Sequence, residues 1–282
     1  MISIPIGHYF ELMITWMTDN WSGFFNAVER LVDTLIDFFE MVFSFPHPFV
    51  MVALMAALAW WATGWRKYGL ALFTVIGFTL IIGMGLWSRT MQTLALVLVS
   101  TLIALFIGIP VGIWAGRNTK VERVVRPILD FMQTMPAFVY LIPAVFFFSI
   151  GKVPGAVATV VFAMPPCVRL ATLGLRQVPH DVIEASDAFG CTPMQQLFKV
   201  QLPMALPSIL AGVNQTIMLA LSMVVIAALI GAGGLGGQVV RGITQLRLGM
   251  GFESGIAIVI LAMYLDRITH ALGSWSARKQ AG

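Results

Sequence analysis

The chain has 282 residues, of which 59% are hydrophobic and 11% charged; soluble domains run at about 45–50% and about 25%. A soluble globule so short of charge would have to expose far too much apolar surface. That excludes a soluble enzyme, a disordered chain and a nucleic-acid binder, and leaves a polytopic membrane protein with a net charge of +4.

In chain order, the first 15 residues carry no basic segment ahead of a short apolar core, so no cleaved signal peptide is expected. Residues 1–47 hold six acids (Glu11, Asp19, Glu29, Asp33, Asp37, Glu40) and one base, Arg30. Within them Asn26, Arg30, Asp33, Asp37 and Glu40 recur at helical spacing, opposite a face of Phe24, Phe25, Val28, Leu31, Val32, Leu35, Ile36 and Phe39. This pattern predicts an amphipathic helix lying on the outer membrane surface or against other helices; a small soluble helical cap is the alternative.

A helix needs about 20 apolar residues to cross about 30 Å of hydrocarbon. Seven stretches qualify: 48–65, 69–87, 90–115, 136–151, 153–175, 205–232 and 252–272. The fourth is short and is read as lengthened by 127–135. Helices are the expected form, because lipid offers no partner to an exposed backbone and these runs lack the alternation of a barrel.

Lys and Arg set the orientation. With the start of the first span outside, twelve of the seventeen fall on the inner side: Arg66, Lys67, Arg117, Lys120, Arg123, Arg126, Arg169, Arg176, Lys199, Arg267, Arg278 and Lys279. The other five are Arg30, Arg89, Lys152, Arg241 and Arg247. The N-terminus is therefore expected outside and the C-terminus inside.

The longest inner loop runs over 176–204. Pro179-His180-Asp181-Val182 opens a helix with an acid near its positive end. Gly190 permits a turn or a close approach, Thr192 caps a second helix with Pro193 in its first turn, and Pro203 is expected to end it. An ordered helix pair of this kind on the inner face of a transporter can act as a lever for a soluble partner.

The series Glu184-Ala185-Ser186, three residues, Gly190, nine residues, Val200-Gln201-Leu202-Pro203 resembles the E-A-A-x3-G-x9-I-x-L-P motif of permease subunits of bacterial ABC importers. Every spacing matches; Ser186 replaces the second alanine and Val200 the isoleucine. The resemblance covers roughly residues 89–272. Ile128 to Pro136, Phe138 to Pro143, Gly151 to Gly155, Pro165-Pro166 and Ala211 to Gln215 are similar to the glycine betaine/proline/choline (ProW-like) branch of that family.

The resemblance implies an all-α polytopic membrane helical bundle of the type I ABC importer (MetI-like) transmembrane fold, with an N-terminal amphipathic helix. It implies an extracytoplasmic tail at 1–47, two accessory spans at 48–88, a five-helix core at 89–272 with its coupling loop between the third and fourth spans, and a cytoplasmic tail at 273–282. Glu184, Ala185, Ser186, Gly190, Val200, Leu202 and Pro203 would couple transport to a cytoplasmic ATPase. The implied partners are two cytoplasmic ABC ATPase subunits, a periplasmic or lipid-anchored substrate-binding protein, a second copy of the chain, and the lipid of a bacterial inner membrane. Histidine or another amino acid is the alternative cargo.

No catalytic residue, metal site or cofactor is expected. No phosphate loop occurs; Gly231 to Gly236 fits GxGxxG but lacks the strand–turn–helix context of a nucleotide fingerprint, and reads as a turn or a close helix contact. The two cysteines and four histidines have no metal-ligand spacing. An ion-coupled secondary transporter is a more distant alternative, because five of the seven spans contain no Asp, Glu, Lys or Arg. A quaternary ammonium cargo suits weak polar groups and aromatic faces. Gln133, Thr134, Tyr140, Asn214, Gln215 and Thr216 are the pathway candidates, with interhelical hydrogen bonding as the equal alternative.

Overall fold

A computed structural model describes residues 5–64 and 68–280, with side chains as far as Ala271, that of Ile6 excepted. Arg66 and Lys67, and the side chains of Arg278 and Lys279, lie outside the described residues, as do residues 281–282 of the expected cytoplasmic tail. Helices α1 (Ile6–Asn20), α2 (Ser22–Ser44), α3 (Pro48–Thr63) and α4 (Gly69–Gly83) precede the long α5 (Trp87–Arg117). Then come α6 (Thr119–Thr134), α7 (Ala137–Phe148), α8 (Lys152–Arg176), α9 (His180–Ala188) and the single turn α10 (Pro193–Gln196). A π-helical segment, Leu197–Gln201, leads into α11 (Leu202–Ala227), a 3-10 turn (Ala228–Ile230), α12 (Gly234–Thr244) and α13 (Leu248–Gln280).

Among the described residues, four segments are long and apolar enough to cross a membrane unbroken: Trp87–Arg117, Lys152–Arg176, Pro193–Ile230 and Leu248–Ala271. Two helix pairs qualify only together, each sharply bent: Ser22–Ser44 with Pro48–Thr63 at 100°, and Thr119–Thr134 with Ala137–Phe148 at 101°. All seven expected stretches contain a helix. The extension of the fourth by 127–135 needs correction. Those residues belong to α6, which turns away from α7 at Met135–Pro136. Met135 is extended (φ −72°, ψ 135°), as a residue before proline prefers. At 12 residues, α7 is about 18 Å long, well short of the hydrocarbon thickness.

Helix α8 is the hub, packing along both α5 and α11. Bilayers give no hydrophobic drive between helices, so close contact depends on small residues. A Cβ placed on Gly112 of α5 would lie 2.6 Å from Ala171 Cβ and 2.7 Å from Val168 O of α8. The backbones meet closely enough for the Thr172 hydroxyl to donate to Gly112 O at 3.0 Å. The main core joins α2, α3, α4, α5, α8, α11 and α13, with Phe78, Ile81, Met91 and Leu261 fully buried.

The amphipathic helix is present and longer than its pattern. It packs against α5, α7 and α8, turning Phe25, Val32 and Ile36 inward. The Phe25 ring stacks on Phe147 at 4.3 Å between centroids, 9° from parallel. Lys152, at the start of α8, pairs with Asp33 at 3.1 Å and with Asp37. At the other end of the bundle Arg176 pairs with Glu122 at 2.6 Å and Arg169 with Asp130, joining α6 to α8.

Candidate coupling site and polar pathway

The segment between α8 and α11 is a folded handle. Pro179 opens α9. Its end is closed by backbone bonds from Gly190 N to Asp187 O (2.9 Å) and from Cys191 N to Ser186 O (3.0 Å). Together they form a Schellman motif, which requires a left-handed residue after the helix. Gly190 supplies it at φ +74°. The next turn starts with a reciprocal capping box: Gln195 N donates to Thr192 Oγ1 (3.3 Å) and Thr192 N to Gln195 Oε1 (2.9 Å).

The second helix does not end at Pro203 as expected from sequence. Pro203 occupies the first turn of α11, where its missing N–H is tolerated. The same missing donor denies Lys199 its α-helical partner, and the turn before it widens into the π segment. The handle is therefore continuous with a membrane-crossing helix.

The motif residues occupy three parts of this handle. Glu184 and Ala185 are exposed on α9, with Glu184 Oε1 3.0 Å from His180 Nδ1. Gly190 forms the turn. Val200, Leu202 and Pro203 are half-buried at the base. Ser186 is buried between the helices: it donates to Ile183 O at 2.7 Å and accepts from Gln196 Nε2 at 2.9 Å. Three further residues escaped the sequence reading. Leu197, 6% exposed, is seated among Ala171, Leu175, Ala205 and Ile209 of α8 and α11. Phe189 and Phe198 are 89% and 60% exposed at the handle's tip and flank. The signal of Phe189 in sequence was an aromatic beside the motif glycine.

The six pathway candidates do not converge. Gln133 and Thr134 are exposed at the end of α6, and the Thr134 hydroxyl bonds to Phe131 O at 3.0 Å. The Tyr140 hydroxyl reaches back across the bend to Met132 O. On α11, Asn214 turns to α13: its amide nitrogen donates to Asp266 Oδ1 at 3.1 Å and lies 3.2 Å from His270 Nε2. Thr216 is fully buried and bonded to Gly212 O at 2.9 Å. Gln215 is exposed, on one helical stripe with Ala211, Met218 and Ser222.

The glycine series 231–236 serves packing. Gly231, Gly233 and Gly234 have positive φ, and Leu235 N donates to Thr93 Oγ1 of α5 at 2.8 Å. A Cβ on Gly234 would fall 2.5 Å from that hydroxyl. The turn thus seats α12 directly on α5.

The family described as binding-protein-dependent transport system inner membrane component matches residues 108–281. The chain belongs to that family. It is 53% identical, over 94% of its length and 93% of the relative's, to the glycine betaine transport system permease protein OpuAB of Bacillus subtilis (strain 168). Identity is 50% to the glycine betaine/carnitine transport permease protein GbuB of Listeria monocytogenes (95% of each chain). It is 48% to the glycine betaine/proline betaine transport system permease protein ProW of Escherichia coli (96% of this chain, 75% of that one). Among solved structures, an inward-facing MetNI methionine ABC transporter matches with a TM-score of 0.59 and 29% identity, over 66% of this chain and 95% of the other. The protein is an all-helical permease subunit of a binding-protein-dependent ABC importer of the inner membrane. Helices α1 to α4 precede the family region.

Proposed function

We propose that this chain forms the transport path of an ATP-driven importer of quaternary ammonium and zwitterionic solutes of the glycine betaine, choline or proline betaine type. The observation that carries the cargo is identity of 48–53% along 94–96% of the chain to permeases named for glycine betaine. Likeness confined to the coupling loop would leave the cargo open; here it extends through the membrane helices that meet the solute.

In this reading two copies of the chain pair, and each offers its handle to one cytoplasmic ATPase subunit. Glu184, Ala185, Ser186 and Gly190 shape the docking helix, and Val200, Leu202 and Pro203 connect it to α11. Phe189 and Phe198 enter the partner's groove. ATP is bound and hydrolysed by that partner, while a periplasmic or lipid-anchored binding protein delivers the solute from outside. The N-terminus lies outside and the C-terminus inside. Gln133, Thr134 and Gln215 meet the passing solute; Tyr140, Asn214 and Thr216, bonded within the bundle through two hydroxyls and the Asn214 amide nitrogen, hold the walls. The tail at 1–47, the accessory spans at 48–88, the core at 89–272 and the end at 273–282 are the working divisions.

The test is uptake by the chain reconstituted with its cognate ATPase and binding protein. Glycine betaine, choline or proline betaine should accumulate in an ATP-dependent manner; accumulation of histidine instead would overturn the cargo assignment. Gly190→Asp should insert into the membrane yet lose both ATPase docking and uptake. Full transport by that variant would overturn the coupling role.

A further inference from the structure

The handle contains a connection that the motif does not include. Gln196, the last residue of α10, extends its side chain back to α9. Its amide nitrogen donates to Ser186 Oγ at 2.9 Å and to Asp187 Oδ1 at 2.8 Å. Both hydrogens of one amide are thus used on consecutive residues of the neighbouring helix. Ser186 is 6% exposed, and its own proton goes to Ile183 O at 2.7 Å, so its lone pair is oriented toward Gln196. This is a directional network with its buried end at Ser186.

Its position gives it mechanical meaning. Helix α9 has nine residues and α10 four, each too short to hold its shape alone in water. Immediately after Gln196 the chain enters the π segment Leu197–Gln201, a wide turn of the sort found where helices deform. Without the clamp, a push on α9 would be absorbed by rotation at the Gly190 turn. With it, α9 and α10 move as one body, and the displacement passes through the π segment into α11.

We propose that Gln196 is a positioning residue for coupling: by bonding Ser186 and Asp187 it makes the two handle helices a single rigid lever on α11. The inference rests on the handle being the ATPase-docking element. It explains a feature of this chain, in which a hydroxyl stands at 186 where the family motif has a methyl and an amide donor is in reach of it.

The test uses the complete complex, with ATPase and binding protein, in vesicles. The readouts are cargo imported per ATP hydrolysed, co-purification of the ATPase, and the thermal midpoint of the complex. Gln196→Leu keeps the size of the side chain and removes the donors; Ser186→Ala removes the acceptor with little change of volume. Gln196→Leu should retain the ATPase and lower cargo per ATP by about three- to tenfold, the scale of losing one or two side-chain hydrogen bonds. The double variant should fall short of the product of the two single effects, because both remove one network. Gln196→Glu, which sets a carboxylate beside Asp187, should be at least as uncoupled as Gln196→Leu. Wild-type cargo per ATP in Gln196→Leu overturns the inference. So does a loss of thermal midpoint or of bound ATPase with the ratio unchanged, which would make the residue merely structural. Gly190→Asp separates the two levels: if it also transports normally, the coupling role of the handle itself fails, and if it alone fails to transport, only the role of Gln196 does.

Discussion

Gly112 and Gly190 show two different reasons for the same residue. At Gly112 the backbone is ordinary helix and the space is missing, with Ala171 Cβ 2.6 Å from where a side chain would begin. Gly112→Ala should force α5 and α8 apart and destabilise the fold by about 1–3 kcal/mol, as overpacking does; the check is the thermal midpoint of the purified chain. Gly190 has the opposite problem, with open space around it and a φ of +74°. Gly190→Ala should cost about 1–2 kcal/mol of local strain, and Gly190→Asn less, because asparagine tolerates the left-handed region. Hydrogen exchange at Cys191 N–H, which bonds to Ser186 O, would report the opening of that turn. The motif spacing marked Gly190 in the sequence. Nothing marked Gly112, because its requirement comes from a helix some 60 residues away.

At the scale of elements, α2 illustrates how unlike contacts divide the work. Its ionic contacts with Lys152 are conspicuous, yet the side chains involved are 31–57% exposed. Such pairs contribute less than about 1 kcal/mol and weaken in salt. Phe25 is 7% exposed and stacked on Phe147, and truncating a buried aromatic costs about 3–5 kcal/mol. Phe25→Ala should therefore lower the thermal midpoint far more than Lys152→Ala, whose small effect should vanish at high salt. The helical period of α2 was readable, since its charged and apolar residues alternate at 3.6. Where it would lodge was not, because an apolar stripe buries equally well in a membrane surface or against α5, α7 and α8. The handle divides in the same way. Its capping box and glycine turn are local and legible, whereas the seat of Leu197 between α8 and α11 depends on residues distant in the chain.

For the molecule as a whole, the proposed orientation rests on where the bases sit, and it is open to a direct test. A reporter near position 20 should be accessible from outside and one after position 278 from inside; the reverse pattern would invert every assignment of face. Composition and hydrophobic run length determined by themselves that the chain is a helical membrane protein, since a backbone in lipid must satisfy its own hydrogen bonds. The seven fixed motif positions pointed to the family and to the candidate coupling loop, because caps, turns and prolines act within a few residues. Only the tertiary structure decided that residues 119–148 form two helices at 101° rather than one straight helix, that α8 is the hub, that Asn214 is drawn onto α13, and that Gln196 bridges the handle helices. Each of these depends on partners distant in the chain or on the direction of a side chain, and neither hydropathy nor periodicity carries that information.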